Sequence, residues 1–339
     1  MPKNAATIYE VARHAGVSIA TVSRVNRGDG AVAAPTRERV VRSIRLLDYR
    51  PHPSARSLAA RRHDARGIVF PDLSGPYYSA VIHGFEGEAV EARQSVLILA
   101  THGRPTADDL VLELATRCDG LVIMGRTVSD AVVRRLSRQG LPVVLLARPQ
   151  VNGADTVRSE NRATAAVVVG HLFGHGRMDL VFVGDPKSSP DAAERWTGFE
   201  DAWRDLRGTS PPPPLVSSFT ETDGYDSIRV LLERQAPPEA LVCANDEIAI
   251  GAIRALRDNG IDVPGRVAVT GWDDIPVASI VSPALTTVRQ PMRELGAMAA
   301  ALLEERITEA RTRPRHVLLP TSLVVRTSCG CTPSGGESS

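Results

Sequence analysis

Long apolar runs are absent from this sequence. No stretch of 18 apolar residues occurs, so the sequence predicts no membrane-spanning helix. The start of the chain has no hydrophobic signal region, and we therefore expect a cytoplasmic location. Cysteine is scarce, with two cysteines in apolar strand patterns and two near the end, which does not resemble a disulfide framework. Aromatic residues make up only 4% of the chain, but the 43% hydrophobic content is that of a globular protein with full cores.

Positive charge is concentrated at the front of the chain. Residues 1–63 contain twelve basic and four acidic residues, a net charge of +8. The whole chain of 339 residues carries only +1, so the remainder carries −7. A basic end on an acidic body indicates a polyanionic partner for that end. Charge alone leaves a solvated charged surface as an equal alternative.

Two short helical patterns joined by one glycine lie in the stretch TIYEVARHAGVSIATVSRVNRGDG. Thr7 and Glu10 form a capping box that begins the first helix, and Gly16 can end it with a positive φ. Ser18 caps a second helix that runs to about Arg27, and a third helix follows. This arrangement is typical of a helix-turn-helix, whose second helix enters the major groove of DNA.

The second helix divides into an inner and an outer face. Val22 and Val25 fit the small core, whereas Ile19, Ala20 and Arg24, with Ser23, would face DNA. Small apolar side chains can contact thymine methyls, and an arginine can pair with a guanine edge. The alternative is a three-helix subdomain without a ligand.

The stretch RPHPSARSLAARRHD predicts a linker. Ser54 can cap a helix of roughly seven residues, which is too short to be stable alone. We expect it to become helical only against a partner, with Leu58 as a wedge in the minor groove. Spacing alone favours the alternative of a flexible linker.

From residue 66 onward, apolar strand patterns alternate with helical ones. The strand patterns are RGIVFPDLSG, SVLILATHG, DGLVIMG, LPVVLLA, DLVFVGDP, ALVCAND and RVAVTGWDD. Strands buried on both faces and separated by helices indicate a doubly wound parallel sheet. The unit occurs twice, over residues 67–150 and 178–273, so the fold class is α/β with a ligand cleft between two halves.

The sequence resembles the lactose-repressor/galactose-repressor (LacI/GalR) transcriptional regulators over residues 7 to about 328. The resemblance rests on TIYEVARHAGVSIATVSRV, TRERVVRSIRLLDYRPHPSARSLA, DLSGPYYSAVIHGFE, ERWTGFEDA, CANDEIAIGAIRALRDNGIDVPGRVAVTGWDDIP and PALTTVRQPMRELG, in that order. It implies a homodimer on a pseudo-palindromic operator, most often a repressor of carbohydrate-utilisation genes that a sugar-like effector releases. It also implies a hinge helix on DNA and a periplasmic-binding-protein-like core.

The resemblance implies four segments. They are a helix-turn-helix domain at 1–50, a hinge helix and linker at 51–65, an effector-binding and dimerisation domain at 66–328, and a disordered tail at 329–339. Within the third segment, the chain is expected to cross between two subdomains near residues 163 and 290.

Site residues follow from the same resemblance. Expected DNA contacts are Thr7, Ser18, Ile19, Ala20, Thr21, Ser23, Arg24, Arg27, Tyr49, Ser54, Ala55 and Leu58. Expected effector contacts are Tyr77, Tyr78, Arg195, Trp196, Tyr225, Asn245, Trp272 and Asp273. Aromatic faces suit the C–H faces of a sugar, and guanidinium, amide and carboxylate groups suit its hydroxyls. Asn245 could instead be only a helix cap, and Trp272 and Tyr225 could serve packing alone.

Other chemistry is disfavoured by the residues. His171 and His175 have a metal-binding spacing, but we expect no acidic or cysteine partner to accompany them. The Cys329-Gly-Cys331 pair alone is insufficient for a metal, so we predict no metal, no cofactor and no enzymatic activity. The alternatives are a regulator with a nucleobase or nucleoside corepressor, and a solute-binding protein.

Overall fold

A computed structural model describes residues 6–26, 31–49, 62–309, 311 and 313–331. The chain divides into two compact units, Met1–His63 and Asp64–Ser339. Within the described residues, no helix is both long and apolar enough to cross a membrane.

The first unit is a three-helix bundle made of α1 (Ile8–Ala15), α2 (Ile19–Asn26) and α3 (Ala34–Leu46). The predicted capping box is confirmed, since Thr7 and Glu10 bond each other's backbone N–H groups. Gly16 ends α1 with a φ of 63°, as predicted. Val11, Val22 and Val40, each fully buried and each from a different helix, form the centre of a small core.

The second unit begins with a six-stranded parallel sheet, the centre of what we name the first lobe. Its strand order is β10-β5-β4-β3-β1-β2. Alternate residues of the central strands point to opposite faces, where α4 and α11 cover one side and α5 and α6 the other. The elements are β1 (Ala65–Phe70), α4 (Pro76–Glu91), β2 (Ser95–Ala100), α5 (Ala107–Ala115), β3 (Gly120–Met124), α6 (Asp130–Arg138), β4 (Val143–Leu146), β5 (Asp155–Ser159), α11 (Met292–Glu309) and β10 (His316–Leu319).

The second lobe is built on the parallel sheet β6-β7-β8 and an antiparallel pair, β9 and β11. Its four helices enclose one large apolar core with these strands. The elements are α7 (Arg162–Gly174), β6 (Leu180–Val183), α8 (Pro190–Arg207), α9 (Glu221–Arg234), β7 (Ala240–Cys243), α10 (Asp246–Asp258), β8 (Ala268–Thr270), β9 (Thr287–Arg289) and β11 (Ser322–Val324), with short 3-10 helices at Pro276–Ser279 and Thr327–Cys329.

The chain passes between the lobes three times. It leaves the first lobe between β5 and α7, returns between β9 and α11, and leaves again between β10 and β11. The third passage, near residue 320, was not predicted, because β10 and β11 are short and only partly buried. All seven predicted strand patterns form strands, whereas β5, β9, β10 and β11 were missed.

The end of the described chain corrects two predictions. Residues 329–331 are not a loose tail: Cys329 is fully buried and packs on the core of the second lobe. The view that no cysteine accompanies His171 and His175 was also wrong, because the chain end folds back onto α7 and brings Cys329 and Cys331 beside them. The rest of the predicted tail lies outside the described residues.

Candidate functional site

The outward face of α2 has the composition predicted for DNA reading. Ile19, Ala20 and Arg24 are exposed, while Val22 and Val25 are buried in the core. Ile19 is 40% exposed. The bundle therefore presents two exposed apolar side chains beside an arginine that makes no ion pair with another described residue.

The remaining predicted DNA contacts are placed as follows. Ser18 directly precedes α2 and caps it, since its Oγ accepts a hydrogen bond from the N–H of Thr21 over 3.2 Å. The hydroxyl oxygens of Ser18 and Thr21 lie 2.9 Å apart. Ser23 is half-buried on the same helix, Thr7 caps α1, and Tyr49 is half-buried after α3. Arg27, Ser54, Ala55 and Leu58 lie outside the described residues, as does most of the predicted hinge helix.

A second candidate site lies between the lobes of the large unit. We name it the interlobe cluster: Tyr77, Asn161, Asp191, Arg195, Trp272, Asp273 and Gln290. Arg195 is at its centre, although the side chain is only 5% exposed. Its Nε donates to Asn161 Oδ1 over 2.8 Å, one Nη donates to the carbonyl of Ala244 over 2.6 Å, and the guanidinium lies 4.5 Å above the ring of Trp272. These contacts fix its orientation and leave the other Nη without a hydrogen-bond partner within the described residues.

Asp273 follows β8 in a strained conformation. Its φ is 117°, which a non-glycine residue adopts only when its surroundings enforce it. The backbone N–H of Asp273 donates to the carbonyl of Val288 over 2.8 Å, and its side chain accepts a hydrogen bond from Gln290. Gln290 in turn accepts from Ser159 of the first lobe over 2.8 Å. The carboxyl group is thus held in place by contacts from both lobes.

The electrostatics of the cluster are those of a polar site with little water. Burial raises the pKa of Asp273 to about 7, although Arg195 and Gln290 oppose the rise. Burial likewise raises the pKa of Asp191, against the effects of Arg195 and Arg158. The carboxyl group of Asp273, beside the Arg195 guanidinium, therefore changes its charge near neutral pH.

Two polar atoms of the cluster are buried without a partner within the described residues. They are the hydroxyl of Tyr77 and the indole Nε1 of Trp272. Burial raises the pKa of Tyr77, and the nearby Asp191 and Asp273 raise it further. An unpaired buried donor costs about 1–3 kcal/mol. A ligand with hydroxyl groups could supply the missing hydrogen-bond partners of these two groups, which lie beside a carboxyl and a guanidinium.

The predicted effector residues are only partly brought together. Tyr77, Arg195, Trp272 and Asp273 belong to the cluster, and Tyr78 packs edge-on against Tyr77 with ring centroids 5.6 Å apart.

Three further predicted effector residues make structural contacts. Trp196 stacks on Phe199 in the second-lobe core. Asn245 caps α10 by accepting from Ile248 N–H over 3.0 Å. Tyr225 lies apart: its hydroxyl donates to Asp258 at the far end of α10, about 18 Å along the helix from Asp246.

Three members of the cluster were missed by the sequence reasoning. Asn161 donates to Asp191 over 3.2 Å, and Gln290 holds Asp273. Asn161 follows the polar strand β5, which has no apolar pattern, and Gln290 follows the three-residue strand β9. For Asn161, the available signal was its position after a strand of a parallel sheet, where ligands bind. Gln290 follows the antiparallel strand β9 and Asp191 lies in the first turn of α8, so neither of them carried that signal.

A basic helix-turn-helix unit, followed by a two-lobed α/β unit with a buried polar cluster, indicates a DNA-binding transcriptional regulator. The chain matches the description "Bacterial regulatory proteins, lacI family" over residues 7–52 and "Periplasmic binding protein-like domain" over residues 169–329. It is 30% identical over 327 residues to catabolite control protein A of Priestia megaterium, covering 95% of this chain and 98% of that protein.

Solved structures give the same result. The transcriptional regulator CelR in complex with cellobiose is 30% identical with a TM-score of 0.72, over 95% of this chain and 99% of that one. A lac repressor dimer bound to operator and the anti-inducer ONPF is 26% identical with a TM-score of 0.84, over 96% and 99% of the two chains. The chain belongs to the LacI family of DNA-binding transcriptional regulators.

Proposed function

We propose that this protein is a homodimeric repressor of carbohydrate-utilisation genes, released from a pseudo-palindromic operator by a sugar-like effector in the interlobe cluster. The operator-bound lac repressor dimer and the cellobiose complex of CelR support the DNA partner, the dimer and the ligand class. Because a protein that binds chromosomal DNA must be in the same compartment as that DNA, the proposal also supports a cytoplasmic location.

The observation that carries the proposal is the set of unused polar groups between the lobes. The Tyr77 hydroxyl, the Trp272 N–H and one Nη of Arg195 all lack protein partners within the described residues. Asp273 supplies an acceptor beside them. Donors and acceptors arranged around the aromatic rings of Tyr77 and Tyr78 match a ring with several hydroxyls.

The same cluster supports a binding role rather than an enzymatic one. It contains no histidine, cysteine or lysine, and its carboxyl groups are already bonded, Asp191 to Asn161 and Asp273 to Gln290. We infer that the protein is not an enzyme.

The response to the effector follows from its different affinities for two conformations of the large unit. An effector that bonds groups of both lobes favours the conformation in which those groups are close together. It shifts the population of conformations only as far as its affinity for this conformation exceeds its affinity for the other. The chain joins the two units through residues 50–61, which lie outside the described residues.

The test combines DNA binding with ligand screening on the full-length protein. Genomic selection first supplies an operator duplex, and fluorescence anisotropy then gives affinities for it and for a random duplex at several salt concentrations. The proposal requires affinity that falls steeply with salt. Arg24→Ala should weaken operator binding by about 1–3 kcal/mol and random-duplex binding much less. Arg134→Ala, which removes one exposed arginine from α6, is the matched control.

Effectors are identified by a thermal-shift screen of sugars, with nucleobases and nucleosides as competing ligands. A sugar that raises Tm should also release the operator. Arg195→Ala should abolish both effects and retain operator binding, whereas Arg204→Ala, an exposed residue of the same helix, should change neither. Stabilisation by nucleobases alone, or Arg195→Ala protein that still responds to sugar, would refute the assignment.

A further inference from the structure

Four metal-ligating side chains meet at one point of the second lobe, far along α7 from the interlobe cluster. His171 lies on α7 and His175 caps the C-terminal end of the helix one turn later, and Cys329 and Cys331 come from the chain end. His171 Nε2 lies 3.3 Å from Cys329 Sγ and 3.7 Å from Cys331 Sγ, and His175 Nε2 lies 3.0 Å from Cys331 Sγ. The ligand atoms of the two histidines and Cys331 all lie within 4.8 Å of one another.

These separations are those of a tetrahedral zinc site. Zinc–sulfur bonds of about 2.3 Å and zinc–nitrogen bonds of about 2.0 Å at tetrahedral angles place sulfur and nitrogen about 3.5 Å apart. The three nitrogen–sulfur separations given above bracket this value. Cys329 Sγ is outside the group of three ligand atoms that all lie within 4.8 Å of one another, so it is the ligand that must move to complete the site. Two thiols with two imidazoles form one of the common structural zinc sets, and soft thiolate ligands disfavour calcium and magnesium.

The fold holds both halves of this cluster in place. Helical spacing of i and i+4 directs both imidazoles to one side of α7. The chain end is anchored because Ser328 Oγ donates to the carbonyl of Val269 over 2.6 Å and accepts from Thr286 N–H over 2.8 Å. Thr286 Oγ1 also donates to Cys329 Sγ over 3.1 Å. Contacts that do not involve a metal therefore hold His171, His175 and Cys331 together and keep Cys329 beside His171.

We propose that His171, His175, Cys329 and Cys331 bind one Zn²⁺ ion as a structural site. Four protein ligands complete the coordination sphere, so no position remains for a substrate or water. The thiols bind as thiolates and release their protons to solvent. The ion fastens the end of the chain to α7 and stabilises the second lobe. This role is independent of the effector and of the DNA sequence.

The test uses full-length protein purified without a histidine tag under reducing conditions. Elemental analysis should find one zinc per chain, and a chelator should remove it and lower Tm. Titration of the zinc-free protein with Co²⁺ should give thiolate charge-transfer bands and the intense visible bands of a tetrahedral site. His175→Ala and Cys331→Ala should each reduce the bound zinc at least tenfold and lose these bands. Both remove side chains that are not deeply buried, so folding should survive.

The controls are His102→Ala and Cys118→Ala, which remove a histidine and a cysteine from the first lobe and should keep one zinc per chain. The wild-type Co²⁺ spectrum depends on no variant, so a folding failure in one variant leaves the test intact. Reduced wild-type protein that binds neither Zn²⁺ nor Co²⁺ overturns the proposal. A Cys329–Cys331 disulfide without metal in freshly purified protein overturns it equally.

Discussion

Asp273→Asn should change how the stability of the ligand-free protein depends on pH. The substitution keeps the shape of the side chain and removes its ability to ionise. In the folded protein, burial raises the pKa of Asp273 from 3.8 to about 7. Between these two values the unfolded chain has lost a proton that the folded chain still holds. The wild-type protein therefore loses stability as pH rises through this window, and the variant lacks that contribution.

The size of this pH effect on the free energy of unfolding follows from the difference of one bound proton between the folded and unfolded chains. A difference of one bound proton changes the free energy of unfolding by about 1.4 kcal/mol per pH unit. Over the whole interval between the two pKa values, Asp273 should contribute a loss of roughly 4 kcal/mol. The free energy of unfolding of the variant should therefore increase relative to that of the wild type as pH rises, and the difference should become constant above about pH 7.

The measurement is the free energy of unfolding from urea titrations at steps between about pH 5 and pH 7, without effector. Asp205→Asn, on the exposed surface of α8, is the matched control and should follow the wild type. Equal pH slopes for wild type and Asp273→Asn would refute the reasoning, because they would mean that this carboxyl ionises alike in the folded and unfolded chain.

Two further predictions concern α4. An added Cβ at Gly84 would lie 1.9 Å from the carbonyl oxygen of Arg293 on α11, so Gly84→Ala should force the helices apart and cost about 3 kcal/mol or more in urea unfolding. Gly87 on the same helix has open space around it, so Gly87→Ala should stabilise by about 0.5–1 kcal/mol; a Gly84→Ala protein as stable as this control would contradict the packing argument. Tyr77→Phe removes a buried hydroxyl that lacks a partner within the described residues, so it should raise the free energy of unfolding by about 1–3 kcal/mol and weaken effector binding about tenfold in calorimetry. A Tyr77→Phe protein that is less stable would show that the hydroxyl is already satisfied.

The sequence predicts well those elements whose burial is evident from the pattern of their own residues. The strands β3 and β4 are buried on both faces, so their apolar runs are continuous. The capping residues Thr7 and Gly16 are equally local signals. By contrast, β5 is mostly buried yet reads DTVRS, because Asp155 is neutralised by Arg306 and Arg311 from the other end of the chain. No local pattern could reveal an ion pair across about 150 residues.

The same distinction applies to the sites. Residue types and family resemblance indicated Arg195 and Asp273, but not the amides of Asn161 and Gln290 that hold the two carboxyl groups. Tyr225 has a suitable aromatic ring, yet its hydroxyl points to Asp258 and Arg254 covers its face. The four residues of the proposed zinc site are separated by about 150 residues of chain, so only the fold could bring them together.

The three passages between the lobes bear on how the protein is made. The sheet of the first lobe gains its outermost strand from His316–Leu319, and one of its covering helices from Met292–Glu309. A ribosome that has delivered the first half of the polypeptide has therefore supplied a sheet with an unpaired edge and an uncovered face. Both lobes must complete almost together, after nearly the entire chain has emerged, and until then their exposed apolar surfaces are the natural targets of chaperones.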